Sequence, residues 1–139
     1  MPALILIAED YEDNRELLRL MLERAGHRVS EARDGRECLT LARLELPDLC
    51  LLDLSMPVLD GFGVLKELRA DERTRAIPCV AITAFADAQR ERAIQSGFDA
   101  YLSKPFRSIE LTSTVERLLA RTGASVSLSD ADAEEKRTV

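Results

Sequence analysis

Apolar residues along this chain fall into short runs separated by longer stretches with helical spacing. Five runs stand out: Ala3–Ala8, Arg28–Ala32, Leu49–Leu52, Cys79–Thr83 and Ala100–Ser103. The first, third and fourth are almost continuously apolar, as strands covered on both faces must be. Pro47 and Pro78 stand just ahead of two of them, where a missing N–H does least harm. Between the runs the period changes. Leu17, Leu18, Met21, Leu22 and Ala25 share one helical face, and Cys38, Leu39, Ala42 and Leu46 form a second stripe. Val64, Leu65 and Leu68 mark a third helix. Ala88 to Ser96 suggests a fourth, weakly apolar and rich in charge, and Leu111, Val115, Leu118 and Leu119 mark a fifth. Gly26, Gly97 and Gly123 each come after a helical stretch, where a left-handed residue closes the last turn.

Strand and helix thus alternate five times, which predicts a parallel sheet with helices on both faces and right-handed crossovers. After Gly123 the pattern stops. "ASVSLSDADAEEKRTV" carries little apolar content, so residues 1–122 are expected to form the domain and 123–139 a flexible tail.

Composition narrows the function. With 139 residues the chain suits one domain with a proper core. A net charge of −6 argues against direct binding to nucleic acid, which needs a basic surface. No apolar run approaches the roughly 20 residues of a membrane span, and no signal peptide is evident. Cys38, Cys50 and Cys79 lie among apolar neighbours without CxxC spacing, so they read as buried free thiols suited to the cytoplasm. His27, the single histidine, comes after Gly26 in a turn and has no evident chemical role.

Candidate chemistry appears where the strands end. Sites in open α/β sheets form at the carboxyl ends of strands. The first strand delivers Glu9 and Asp10, the third Asp53, the fourth Thr83, and the fifth Lys104 with Pro105 next to it. Three carboxylates face one ammonium, so a divalent cation would bring the local charge to zero. A carboxylate and carbonyl donor set suits Mg²⁺. Without metal, mutual repulsion is expected to raise at least one carboxylate pKa. Taken singly, each acid could equally cap a helix or solvate a loop. Glu12 and Asp13 fit the start of the first helix, where negative charge complements the dipole.

Glu9–Asp10, "DLSMPVLDG" (Asp53 to Gly61), Thr83–Ala84 and Lys104–Pro105, in that order, resemble the receiver domain of two-component response regulators. The likeness runs from about Ala3 to Ala120. It implies a flavodoxin-like (βα)5 sandwich with strand order 2-1-3-4-5. It implies that Asp53 is the phosphoacceptor, taking its phosphoryl group from a sensor histidine kinase or a histidine phosphotransfer protein. Asp10 would bind Mg²⁺ directly and Glu9 through water, with Asp53 and the Ser55 backbone carbonyl as further ligands. Thr83 would donate its hydroxyl to the phosphoryl group, Lys104 would pair with a phosphoryl oxygen, and the Lys104–Pro105 bond would be cis. Tyr101 matches the family's switch aromatic. The face formed by the fourth helix, fifth strand and fifth helix would then meet a downstream protein, and a homodimer stays open. The resemblance also implies that Phe85 and Ser55 stand at positions that tune how fast water removes the phosphoryl group. Bulky Phe85 predicts a moderately long-lived mark and only slow autodephosphorylation, so the chain would be a signalling module rather than an enzyme.

Rival chemistries fit less well. A phosphatase of the haloacid dehalogenase type needs a second acid two residues after its nucleophile, and Ser55 stands there. A flavin or dinucleotide carrier would place glycines after the first strand, where this chain has acids, and no GxGxxG or phosphate loop occurs. The remaining alternative is a receiver-like scaffold that binds partners without phosphorylation. No output domain is expected in the residues after the fifth helix, so the chain would be either a stand-alone regulator acting by docking or a receiver cut from a longer protein; Met1 close before the first strand favours the former.

Overall fold

The computed structural model describes residues 3–84 and 86–122. Five strands and five helices alternate: β1 (Leu4–Ala8), α1 (Glu12–Arg24), β2 (Arg28–Ala32), α2 (Gly35–Glu45), β3 (Leu49–Asp53), α3 (Gly61–Ala70), β4 (Cys79–Thr83), α4 (Ala86–Ser96), β5 (Ala100–Ser103) and α5 (Ser108–Thr122). The strands are parallel in the order β2-β1-β3-β4-β5, the expected flavodoxin-like arrangement. The tail expected at 123–139, Gly123 as a helix stop, and Phe85 lie outside the described residues.

Alternation along the strands divides the core in two. Ile5, Ile7, Leu49, Leu51, Val80 and Ile82 pack with Leu18 and Leu22 of α1 and with Leu111, Val115 and Leu118 of α5. Leu6, Ala8, Cys50, Leu52, Cys79 and Ala81 face α2, α3 and α4. The face that must accommodate three helices carries the smaller side chains, so the helices can approach the sheet closely. The three cysteines are free and buried in that second layer.

Helix ends obey local chemistry. Asp34 and Asp60 cap α2 and α3, their side chains accepting from the N–H groups of Glu37 and Gly63. Gly26 and Gly97 sit at φ +95° and +103°, as their positions after α1 and α4 require. Two expected core positions differ. Leu17 is half exposed, because α1 lays only Leu18 and Leu22 fully onto the sheet. Leu46 is not on the α2 stripe at all: it caps the helix in the left-handed region, φ 48°, and is exposed.

One close approach fixes the loop that carries Asp53. A Cβ at Gly61 would lie 2.5 Å from the Asp53 carbonyl oxygen and 3.0 Å from Leu54 Cα. The start of α3 can therefore rest directly on the end of β3 only through glycine. Gly61→Ala is expected to cost about 1–3 kcal/mol of stability by overpacking, read as a lower urea midpoint at unchanged slope.

Candidate functional site

The sheet ladder continues one step past several strands and carries the polar residues with it. Glu9 N–H donates to Ala32 O at 3.1 Å, Leu54 N–H to Ile82 O at 3.0 Å, and Lys104 N–H to Thr83 O at 2.8 Å. Backbone positions just past β1, β3 and β5 are thus set by the sheet rather than by loops, which is how a site gains precise geometry. Glu9, Asp53 and Thr83 are buried, Asp10 and Ser55 are exposed, and Lys104 is half-buried. The Lys104–Pro105 bond is cis.

Lys104 joins the acids. Its Nζ donates to Glu9 Oε1 at 2.7 Å and to Asp53 Oδ2 at 2.9 Å, linking residues 95 and 51 positions away in the chain. The other Asp53 oxygen accepts from the Ser55 N–H at 2.8 Å. Glu9 Oε2 accepts from the Tyr11 N–H at 3.1 Å, and Arg15 donates to the Glu9 carbonyl at 2.9 Å. Ligand oxygens of Glu9, Asp10 and Asp53 lie within 4.8 Å of one another. Three converging carboxylates form a hard-oxygen set that fits a divalent cation such as Mg²⁺.

Electrostatics at the site differ in cause from the sequence expectation. Glu9 is raised from 4.5 to about 7, and burial is the largest cause, with the Lys104 bond pulling the other way and the Asp53 charge adding to the rise. Repulsion between acids contributes, but desolvation leads it. Burial pulls Lys104 down, yet its bonds to Glu9 and Asp53 outweigh that and hold its pKa above the ordinary value. Because the folded Glu9 holds its proton more tightly than an unfolded one, its contribution to stability is fully present below about pH 4.5. That contribution is lost as pH rises through about 7. In chelator, the urea midpoint should therefore fall between about pH 5 and 8. Glu9→Gln should flatten that decline, by about 2 kcal/mol of stability at the upper end.

Thr83 donates its hydroxyl to Gln89 Oε1 of α4 at 2.9 Å, a contact the sequence did not signal. Tyr101 is half-buried against the α2/α3/α4 layer, with the Arg90 guanidinium 5.5 Å from its ring centroid. Beside the acids a cleft of about 440 Å³ opens between α1 and the segment after β5. Glu9 and Lys104 line it together with apolar residues that include Leu17, Met21, Pro105 and Phe106. Half-exposed Leu17 therefore borders this cleft. His27 sits apart from all of this, in the α1–β2 turn, with both ring nitrogens buried and without a hydrogen-bond partner among the described residues.

These features have counterparts in known proteins. The sequence profile of the response regulator receiver domain matches residues 5–116. The polar-differentiation response regulator DivK of Brucella anthropi is 40% identical over 120 residues, covering 86% of this chain and 98% of DivK. The receiver domain of the sensor histidine kinase PA1611 from Pseudomonas aeruginosa was solved with a magnesium ion coordinated in its active site cleft. It superposes with a TM-score of 0.81 at 36% identity, over 86% of this chain and 99% of that one. Chemotaxis protein CheY4 of Vibrio cholerae gives a TM-score of 0.79 at 28% identity, over 85% and 99%.

Proposed function

The chain belongs to the response regulator receiver domain family, and from that membership we propose that it accepts a phosphoryl group on Asp53 and uses it to change a partner-binding face. The donor is the phosphohistidine of a sensor histidine kinase or a histidine phosphotransfer protein. A carboxylate oxygen of Asp53 attacks phosphorus, the P–N bond to the donor imidazole breaks, and the imidazole leaves with the electron pair. Glu9, Asp10 and Asp53, with the Ser55 carbonyl, would hold Mg²⁺, which when bound supplies positive charge to the phosphoryl oxygens. The single observation that carries this reading is the Lys104 ammonium, 2.9 Å from Asp53 and 2.7 Å from Glu9. A fixed cation beside the nucleophile is the device that phosphoryl transfer needs, since its barrier lies mainly in positioning and charge.

The other residues of the site act around that centre. The Ser55 N–H orients one Asp53 oxygen, leaving lone pairs for attack. Thr83, at the end of β4, meets the new phosphoryl oxygens with its hydroxyl. Tyr101 responds to that movement, and the α4, β5 and α5 face presents the change to a downstream protein. Exposed Ile94 on α4 offers that partner an apolar contact. The donor protein approaches along the cleft bordered by Leu17, Met21 and Phe106, which Glu9 and Lys104 also line. Among the described residues no helix is long and apolar enough to cross a membrane, and the reading puts the chain in the cytoplasm with its kinase. With Ser55 and not an acid two residues after Asp53, the site activates water poorly, so the acyl phosphate decays slowly and turnover is not sustained.

The test uses acetyl phosphate as a small donor. With Mg²⁺ the intact mass should rise by one phosphoryl group, and a chelator should prevent the rise. An unchanged mass with Mg²⁺ present would leave a scaffold that binds partners without phosphorylation.

A further inference from the structure

We propose that Gln89 is a positioning residue that restrains Thr83 in the unphosphorylated chain. Its amide oxygen accepts the Thr83 hydroxyl proton at 2.9 Å. A hydroxyl carries one proton. While that proton is given to Gln89, it is not available to a phosphoryl oxygen on Asp53, so the two acceptors compete. Gln89 is half-buried in the first turn and a half of α4, and Thr83 is buried, so water replaces this bond poorly.

The same contact bears on α4 as a whole. Among the side chains of α4 that the structure describes, Ala93 alone is buried. Apolar packing therefore holds this helix weakly. Its other described side-chain contacts are polar or cation–π. Gln89 meets Thr83, Arg90 lies 5.5 Å from the Tyr101 ring centroid, and Arg92 lies 3.8 Å from that of Phe62. When Thr83 turns its hydroxyl to the phosphoryl group, the first of these is given up. Gln89 then converts a local change of hydrogen-bond acceptor into a looser α4, on the face offered to the downstream partner. This rests on the assignment of Asp53 as phosphoacceptor.

The experiment measures the rate of phosphoryl gain from acetyl phosphate with Mg²⁺ by intact mass. Gln89→Leu removes the acceptor at nearly constant volume and should accelerate the gain roughly fivefold, the weight of one neutral hydrogen bond. Gln89→Glu offers a stronger acceptor and should slow it. Both effects should vanish when Thr83 is also replaced by Ala, since the coupling runs through that hydroxyl. A role confined to packing would give neither the opposite signs nor the dependence on Thr83. Gln89→Ala provides a second variant should leucine disturb the helix. An unchanged or slower rate in Gln89→Leu and Gln89→Ala, or effects that persist with Thr83→Ala, would overturn the proposal while leaving Asp53 in its role. A parent protein that gains no group would remove the Asp53 assignment and this one with it.

Discussion

An Asp53→Asn variant is expected to remain folded and to gain no phosphoryl group from acetyl phosphate in Mg²⁺. Asp53, at the end of β3, accepts from the Ser55 N–H at 2.8 Å and from the Lys104 ammonium at 2.9 Å. Asparagine has almost the same shape and can still accept from Ser55. It lacks the anionic lone pair with which Asp53 would attack phosphorus, so the loss should be of chemistry and not of structure. Stability supports the distinction. The Asp53 charge is one of the causes that raise Glu9. Removing it should let Glu9 ionise more readily, and the Glu9–Lys104 bond at 2.7 Å should persist. The variant should therefore melt no lower than the parent near neutral pH in chelator. A normal mass gain in the variant would take Asp53 out of its role. Loss of gain accompanied by unfolding would not speak to the chemistry, which is why the melting curve belongs in the same experiment.

Much of the fold and site is legible in the sequence because the relevant signals are local. Each buried strand is an apolar run, and the sheet end where chemistry collects is found at the first polar residues beyond each run. Glu9, Asp53, Thr83 and Lys104 come together for that reason, held by the extended ladder. Features that escape the sequence depend on how elements pack. Leu17 and Leu18 are adjacent in an apolar stripe, yet only Leu18 reaches the sheet, because helix rotation is set by tertiary contact. Leu46 continues the α2 period on paper but closes the helix at φ 48° ahead of Pro47. The sequence predicts a raised carboxylate through repulsion, whereas depth of burial dominates the rise of Glu9, and depth is not a property of sequence. Gln89 gives no signal, since a polar residue on a polar helix is ordinary until a hydroxyl is seen opposite it. Gly61 is the intermediate case: its place after Asp60 suggests a helix start, but only the 2.5 Å approach to Asp53 O explains why no larger residue fits.

Lys104→Met should move two quantities in opposite directions. Without the ammonium, Glu9 and Asp53 face each other as buried acids with no fixed cation between them. Phosphoryl gain should fall by about 10²–10³-fold, the usual effect of removing one preorganised charge from an electrostatic site. Mg²⁺ should bind more tightly in the same variant, because three carboxylates then face the ion without a competing positive charge. Stability should fall by about 1–3 kcal/mol in chelator, less than for a deeply buried pair since the Lys104 side chain is 23% exposed. Added Mg²⁺ should restore part of that loss, in proportion to its tighter binding. The pairing of signs is the diagnostic feature. Damage to the fold would weaken metal binding and phosphoryl gain together, whereas loss of a catalytic charge separates them. Parallel metal titration by calorimetry and rate measurement by intact mass decide the matter. Weaker Mg²⁺ binding in Lys104→Met, or phosphoryl gain at the parent rate, would mean that this ammonium does not balance the acids.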